Sequence, residues 1–354
     1  MKLARAAVFT DIHFGKKSNS DVHNQDCLRF IDWFCERAVE HRCDHVIFMG
    51  DWHENRNAIS VSTLKYSYEG AKRLNALGIP VFMLAGNHDL YKKTSRDIHS
   101  IHHLNELTNI RLIETAEVIP EIGDGVLLAP FMFHDEYYTI LKQYTNVPVW
   151  FGHFEFKGFI ITGYNTRMPV GPDINDFKGP KYIFSGHFHK RQAQDQVVYI
   201  GNAFPMDFGD SGDSDRGMMV YDFKADEVEF YNWEDCPKYM HVRLSDVVEG
   251  HVKIHKGARV KCTADISIDF EEQTKLRKLI AEKYILREFT LEEPSELRAA
   301  LTETEFDIAD KYGDSSDVIG VDDLMVEMLK KIDVEEIDTD ALIYEYSQLT
   351  IKNT

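Results

Sequence analysis

Five short segments of this chain place carboxylate, amide and imidazole side chains directly after apolar runs typical of β-strands. Oxygen and nitrogen donors without thiolate suit borderline-to-hard divalent ions such as Mn²⁺, Fe²⁺ or Zn²⁺. A glycine or another small residue precedes each cluster, which lets the backbone turn sharply and approach an ion. The segments are TDIH with Asp11 and His13, GDWHE with Asp51 and Glu54, GNHD with Asn87 and His88, FGH with His153, and SGHFH with His187 and His189.

The number of candidate ligands indicates how many ions they would hold. Seven ligands are too many for one ion and suit two ions about 3.5 to 4 Å apart with one bridging carboxylate. Such a pair binds the oxygens of a phosphate ester, generates hydroxide near neutral pH and stabilises charge in an in-line transition state. The pattern therefore favours phosphate-ester hydrolysis.

Individual histidines carry much less information than the ordered set. A histidine at the end of a strand is more often a hydrogen-bonded core or surface residue than a ligand, and the chain has 16 histidines. Five clusters in order, each after a β-like run, are hard to obtain by chance. His99, His102 and His103 lie on a predicted helix with no carboxylate at ligand spacing, so we interpret them as solvated or packing residues.

The elements that must position these side chains alternate short β-rich runs with amphipathic helical stretches. This alternation predicts an α/β domain with a sheet between helices. Ligands of such sheets lie outside the carboxyl ends of the strands, so five strand ends that converge would form one site. Strands are predicted at 4–10, 45–50, 81–86, 125–131, 147–152 and 181–186, and helices at 24–41 and 61–78.

The second half of the chain predicts further units. Residues 1–236 form the first domain in this interpretation, which ends in strand-and-turn sequence. Residues 237–311 combine β-like runs with one helix, as expected of a small α+β domain. Residues 312–354 consist of an acidic linker and two short amphipathic helices, which are marginal on their own and are expected to dock on a partner.

Composition narrows the class of protein. With 354 residues and 44% hydrophobic content, the chain is long enough for two buried cores. Its five cysteines show no metal-binding or disulfide spacing. The sequence shows no signal-peptide pattern and no membrane-spanning run, so we expect a cytoplasmic protein that does not bind a membrane. The net charge of −19 lies mostly after residue 290, where 18 acidic and 5 basic residues occur, so it does not exclude a polyanionic substrate.

The ordered series D-x-H, G-D-x-x-E, G-N-H-D, G-H and G-H-x-H resembles the calcineurin-like metallophosphoesterases, and within them the SbcD-type DNA repair nucleases. The whole chain looks most like the nuclease subunits of tailed-phage recombination endonucleases. The resemblance implies a metallophosphoesterase β-sandwich flanked by helices. It also implies that 237–311 is a DNA-binding capping domain and that 312–354 docks on an ATPase.

The same resemblance implies a division of the ligands between two metals. Asp11, His13, Asp51 and His189 would hold one ion, and Asp51, Asn87, His153 and His187 the other, with Asp51 as the bridge. The implied ions are two Mn²⁺, with Fe²⁺, Zn²⁺ and Mg²⁺ left open. His187 and His189 would therefore serve different metals.

Two further residues receive catalytic roles from the resemblance. His88 would contact the scissile phosphate and stabilise or protonate the leaving oxygen. Glu54 stands where most relatives have Asp or His, and its carboxylate is expected to orient His88 by accepting the other ring N–H. His53 is interpreted as a neighbour of the metals and not as a ligand.

The implied function is a Mn²⁺-dependent DNA exo- and endonuclease of recombination, repair and replication. Its implied partners are DNA and an SbcC-like coiled-coil ATPase, with a homodimer inside a heterotetramer, in the bacterial host cytoplasm if a phage encodes it. A phosphatase or small-nucleotide phosphodiesterase of the same superfamily is the alternative enzyme. A catalytically silent scaffold is the alternative from another class, although no ligand position is missing here.

Overall fold

The computed structural model describes residues 2–161, 166–266, 268 and 270–292, and these contain two six-stranded sheets, a three-stranded sheet and a two-stranded hairpin. The strands are β1 (Arg5–Phe9), β2 (His45–Phe48), β3 (Val81–Leu84), β4 (Leu90–Lys92), β5 (Ser95–His99), β6 (Ile110–Ile113), β7 (Glu117–Ile119), β8 (Val126–Ala129), β9 (Val149–Gly152), β10 (Tyr182–Ser185), β11 (Gln192–Gln194), β12 (Val197–Tyr199), β13 (Gly217–Asp222), β14 (Glu227–Asn232), β15 (Tyr239–Arg243), β16 (Arg259–Thr263) and β17 (Glu288–Glu292). The helices are α1 (Lys16–Asn19), α2 (Asp21–Glu40), α3 (Val61–Asn75), α4 (His134–Thr139), α5 (Leu244–Glu249) and α6 (Phe270–Tyr284), with 3₁₀ turns at His102–Glu106, Leu141–Tyr144, Ile174–Phe177 and Phe208–Asp210.

The first sheet has the strand order β14-β13-β1-β2-β3-β6. Strands β1, β2, β3 and β6 run parallel, so their carboxyl ends meet at one edge. The second sheet has the order β11-β12-β10-β9-β8-β7, and β8, β9, β10 and β12 are parallel. Each sheet therefore presents a row of strand ends from which loops can reach a common site.

The two sheets pack face to face over an apolar core. Alternate residues of the first sheet, such as Val8, Ile47 and Leu84, meet Leu128 and Phe151 of the second. The opposite side chains of the first sheet, which include Phe9 and Phe48, pack against α2 and α3. Such alternation is what a strand buried on both faces requires. The predicted fold is confirmed at this level, as a mixed α/β fold in which packed sheets are covered by helices.

The two long helices begin and end close to where the sequence predicts. Ser20 and Ser60 cap α2 and α3 by accepting the N–H groups of His23 and Thr63. One difference concerns residues 99–107, where the sequence predicts an α-helix. The structure has a hairpin in which His99 pairs with Leu90, followed by a short 3₁₀ turn, because the β4–β5 pairing leaves too few residues for a helix.

The third sheet is small and entirely parallel. Strands β15, β16 and β17 lie side by side, and α5 and α6 connect them over a core that includes Val260 and Cys262. Parallel order distinguishes this unit from a β-meander, because each connection must cross over through a helix. It covers part of the predicted capping domain. The remainder of that domain from residue 293, and the predicted docking helices in 312–354, lie outside the described residues.

All five cysteines lie in the described part of the chain, and each carries a free thiol. In the described part, no helix combines the length and the apolar character that a bilayer crossing requires.

Candidate metal centre

The predicted ligands lie together at the carboxyl ends of five strands drawn from both large sheets. Loops after β1, β2 and β3 supply the side chains of the first sheet, and loops after β9 and β10 supply those of the second. All seven side chains are brought into one region: Asp11, His13, Asp51 and Asn87 from the first sheet, and His153, His187 and His189 from the second.

One group of ligand atoms consists of Asp11, His13 and His189, each with an atom within 4.8 Å of the others. Nε2 of His13 lies 3.2 Å from Nε2 of His189 and 3.8 Å from Oδ1 of Asp11. Nε2 of His189 is also 3.8 Å from that oxygen. Two imidazole nitrogens and a carboxylate oxygen thus face one point, as ligands of a divalent ion do.

A second group surrounds the amide oxygen of Asn87. Nε2 of His153 lies 3.0 Å from Oδ1 of Asn87, and Nδ1 of His187 lies 2.9 Å from the same oxygen. Oδ2 of Asp51 is 3.4 Å from Nε2 of His153. This set mixes two imidazoles with two oxygens, again a donor set for a borderline divalent ion.

Asp51 stands between the two groups. Its Oδ2 lies 3.4 Å from Nε2 of His153 and 3.8 Å from Nε2 of His13, so one oxygen faces both. Its Oδ1 accepts the backbone N–H of His88 at 2.8 Å. Two carboxylates, of Asp11 and Asp51, are buried here almost without solvent. Buried charges of one sign require compensation, and a pair of cations fits this donor set.

The backbone is strained where the ligands sit. Asp11, His13, Asp51 and His187 all have positive φ, with values of 51°, 52°, 60° and 85°. Residues other than glycine rarely adopt a positive φ, and such backbone strain concentrates at functional sites. Backbone hydrogen bonds hold it in place, because Asp11 donates to the carbonyl of Gly50 at 2.9 Å.

Two glycines allow the loops to approach one another. A Cβ added to Gly86 would lie 2.2 Å from Oδ1 of Asp51, and one added to Gly186 would lie 2.1 Å from Oγ1 of Thr10. Either contact is far inside van der Waals distance. The glycines of the GNHD and SGHFH segments are therefore required by packing around the carboxylates of Asp11 and Asp51.

Asp89 organises the loop after β2, a role that the sequence did not reveal. Its Oδ2 accepts the N–H groups of Gly86, Asp51 and Trp52 at 2.9, 3.0 and 3.2 Å, and its Oδ1 accepts that of His53 at 2.9 Å. Burial, together with the charge of Asp51, raises the pKa of Asp89 to about 6. Asp89 is visible in the GNHD segment, but its position beside Asn87 and His88 does not indicate that its carboxylate accepts backbone N–H groups.

The structure corrects the contact predicted for Glu54. Its carboxylate Oε2 lies 2.8 Å from Nδ1 of His13 and 4.0 Å from Nδ1 of His88. The backbone carbonyl of Glu54, at 2.9 Å, is the group that orients His88. The reason is the bridge between Phe14 and His53, which sets Glu54 beside the loop of His13. Glu54 therefore orients a predicted ligand, and His88 receives its contact from the main chain.

Glu155 makes the corresponding contact in the second group. Its Oε2 lies 3.1 Å from Nε2 of His187, whose Nδ1 faces Asn87. A carboxylate that accepts the outer N–H of a ligating histidine fixes both its tautomer and its ring orientation. The sequence signal was an acid two residues after His153 in FGHFE, which carries little information without the fold.

The protonation states of the histidines follow from their neighbours. Burial opposes the charge of His13, yet its contacts with the carboxylates of Asp11 and Glu54 raise its pKa to about 10. Burial is likewise overcome at His153, whose pKa is raised to about 9, chiefly by Asp51. Burial and the nearby His13 lower the pKa of His189 to about 3. Two of these imidazoles therefore hold protons that a cation must displace.

His53 lies beside the predicted ligands, and both of its ring nitrogens face serine hydroxyls. Nδ1 of His53 faces Oγ of Ser100 at 2.8 Å, its Nε2 faces Ser67 at 2.7 Å, and burial lowers its pKa to about 3. The sequence predicts no carboxylate at ligand spacing from His99 and His102 along a helix, but the fold brings a carboxylate to them from a distant strand end. Oε1 of Glu114 lies 3.2 Å from Nε2 of His99 and 3.6 Å from Nδ1 of His102, because β6 ends beside the β5 hairpin.

Comparison with known proteins identifies the family that this sequence resembles. The sequence profile described as Calcineurin-like phosphoesterase matches residues 4–191. Exonuclease subunit 1 of Enterobacteria phage T4 is 26% identical over 353 residues, which cover 97% of this chain and 98% of that protein. DNA double-strand break repair protein Mre11 of Methanocaldococcus jannaschii is 20% identical over 71% of this chain and 72% of its own length. One subunit of the nuclease SbcCD of Escherichia coli K12 is 23% identical over 60% of this chain and 63% of its own length.

Proposed function

This chain belongs to the calcineurin-like phosphoesterase family, and we propose that it is a divalent-metal-dependent DNA nuclease. The family resemblance predicted from the five strand-end segments is thereby confirmed, and the relatives include proteins named as nucleases. The observation that carries the proposal is the shared position of Asp51, whose Oδ2 faces both groups of ligand atoms.

The proposed division of ligands follows the two groups. Asp11, His13, Asp51 and His189 hold one cation, and Asp51, Asn87, His153 and His187 hold the other. A cation pair supplies Lewis-acid polarisation of a phosphodiester and makes water nucleophilic near neutral pH. We favour two Mn²⁺, and the donor set would also accept Fe²⁺, Zn²⁺ or Mg²⁺.

His88 is the proposed proton carrier. Its Nδ1 donates to the carbonyl of Glu54, which can only accept, so the neutral ring has its lone pair on Nε2. Burial lowers the pKa of His88, which favours that neutral form in the free protein. In this proposal Nε2 takes up a proton from solvent when the substrate binds, and the negative phosphate stabilises the charged ring. The ring then gives the proton to the leaving oxygen.

DNA is the proposed substrate because of the relatives rather than the surface charge. The phage T4 relative is named as an exonuclease subunit, and the E. coli relative as one subunit of SbcCD. The net charge of −19 supports a chain that shares its grip on DNA with a partner. We propose an SbcC-like ATPase as that partner, bound through residues 312–354. The chain would act as a homodimer within a heterotetramer.

The decisive experiment measures cleavage of single- and double-stranded DNA by the full chain with Mn²⁺, with and without the ATPase. We expect manganese-dependent cleavage that His88→Gln abolishes. Asp235→Asn, which changes an exposed acid away from the centre, should leave cleavage unchanged. Intact DNA under all conditions would overturn the proposal. Rapid turnover of a phosphomonoester beside intact DNA would identify the alternative phosphatase, and absence of bound metal would identify a silent scaffold.

The proposed docking segment has its own test. Removing residues 312–354 should abolish binding of the ATPase in a pull-down assay and leave manganese-dependent cleavage by the nuclease alone. Retained binding would move the docking surface to residues before 312.

A further inference from the structure

A second cluster of ligand atoms lies outside the metal centre, at the corner where the β4–β5 hairpin meets the end of β6. It consists of His99, His102 and Glu114, each with an atom within 4.8 Å of the others. Oε1 of Glu114 lies 3.2 Å from Nε2 of His99 and 3.6 Å from Nδ1 of His102. None of these residues contributes to the centre described above.

The distances match the edges of a small coordination polyhedron. Ligand bonds of about 2.0 to 2.1 Å in tetrahedral geometry set neighbouring donor atoms about 3.3 Å apart. The same two contacts would arise if both rings donated N–H groups to that oxygen, and metal analysis distinguishes the two arrangements. Three protein ligands also leave one position for water, as in open sites.

The corner is built to hold these atoms in place. The side chain of His99 is only 5% exposed, and its strand pairs with β4. Glu114 follows β6, which pairs with β3 in the first sheet. Little side-chain freedom remains at His99. The side chains of the other two ligands are open to solvent, so an ion can reach the cluster while the protein stays folded. Two imidazoles and one carboxylate make up the donor set of the cluster.

The chemistry of the cluster selects one class of ion. Imidazole pairs suit Zn²⁺, Ni²⁺ and Cu²⁺, whereas Mg²⁺ and Ca²⁺ prefer all-oxygen sites. Mn²⁺ is the weakest binder of the first-row series, so three ligands on a surface would retain it poorly. The cluster should therefore distinguish zinc from the manganese proposed for the main centre.

We propose that His99, His102 and Glu114 form a separate site for Zn²⁺ or a similar transition-metal ion. The site fixes the loop that braces the main centre. Ser100 follows His99, and its N–H donates to the carbonyl of Asp89 at 2.8 Å. The carboxylate of Asp89 binds the backbone of Asp51 at 3.0 Å. An ion at the corner therefore stiffens the chain that leads to the bridging carboxylate.

Metal content tests this proposal independently of any nuclease activity. The full chain is dialysed against micromolar Zn²⁺ and analysed by mass spectrometry. We expect His102→Ala and Glu114→Gln each to bind one zinc ion fewer per chain than the parent. His103→Ala is the matched control, because His103 faces the ring of Tyr68 and is not in the cluster. Equal zinc content in all four proteins would overturn the proposal.

A second readout tests the bracing role. Zinc should slow hydrogen exchange at the backbone amides of Ser100 and Asp51 in the parent and in His103→Ala. It should do so less in Glu114→Gln. Equal slowing in Glu114→Gln would restrict zinc's effect to the main centre and would contradict the bracing role. DNA cleavage with Mn²⁺ should persist in the control His103→Ala. Absence of cleavage in both His103→Ala and the parent would count against the proposed function and not against the zinc site.

Discussion

The loops after β1, β2 and β3 form the first side of the metal centre, and those after β1 and β2 are joined to each other by backbone hydrogen bonds. The loops after β9 and β10 form the second side and reach the first side through contacts that involve a side chain. On the first side, His13 and Phe14 donate to the carbonyls of Asp51 and Trp52 at 3.1 and 2.8 Å. On the second side, Nδ1 of His153 donates to the carbonyl of Met49 at 2.7 Å.

The difference gives the two sheets different roles. The second side takes its positions from the first, since the N–H of His187 donates to Oδ2 of Asp11 at 3.1 Å. Changes in the first side should therefore disturb both ligand groups. Changes in the second side should disturb one.

The largest effect is expected at the residue that both groups share. Asp51→Asn removes a negative charge that faces His13 and His153, and the amide can offer only one oxygen. We expect both ions to be lost and DNA cleavage to fall by about 10³-fold or more, since each cation contributes several kcal/mol. Metal analysis and cleavage rates measure this. Retention of one ion would show that the groups are independent.

The next largest effect is expected at Asp89, whose carboxylate holds the backbone of the loop after β2. Asp89→Asn places an NH₂ group where one carboxylate oxygen accepts several backbone N–H groups. We expect a loss of about 3 kcal/mol in the free energy of unfolding, because buried donors lose their acceptor. Urea denaturation measures it, and Asp97→Asn on the exposed hairpin is the control. If Asp89→Asn weakened metal binding at only one of the two ligand groups, Asp89 would not support both groups.

A matched pair of substitutions compares the two groups directly. Glu54→Gln loosens His13, and Glu155→Gln loosens His187. Each should weaken metal affinity about 10- to 100-fold, as loss of an outer-shell partner does. Calorimetric titration with Mn²⁺ should show one weakened site in Glu155→Gln. An unchanged profile in that variant would remove Glu155 from the site.

The histidines of the SGHFH segment sharpen the same comparison. His187→Ala should empty mainly the group with Asn87, and His189→Ala mainly the group with Asp11. Metal content and spectroscopy of Co²⁺-substituted protein can distinguish the two cases. Identical losses would contradict the division between groups.

The sequence could predict the strands and the ligand types, because apolar runs and strand-end carboxylates and histidines are local signals. The brace by Asp89 was not predictable in this way, since its partners on the loop after β2 are distant in the chain and are backbone groups. Glu54 was placed on the wrong histidine because a bridge between Phe14 and His53 decides which ring its carboxylate reaches. Glu114 escaped notice because strand pairing brings it to His99.

The stability of the metal-free protein should also depend on pH, and this dependence again separates the two sides. The pKa of His13 is raised to about 10 and that of His153 to about 9, from 6.5. A raised folded-state pKa contributes stability that is complete below pH 6.5 and is lost as pH rises through the folded value. The metal-free chain should therefore lose stability between pH 7 and pH 10.

The contribution of each histidine follows from the carboxylates that face it. His13→Gln should flatten this pH dependence more than His153→Gln, because His13 is raised further by Asp11 and Glu54. Thermal unfolding across the pH range measures it, with exposed His251→Gln as the control. Bound Mn²⁺ should remove the dependence, since the ion takes the place of both protons. Equal curves for the two variants would mean that the charge of Asp51, and not the side of the sandwich, governs both histidines.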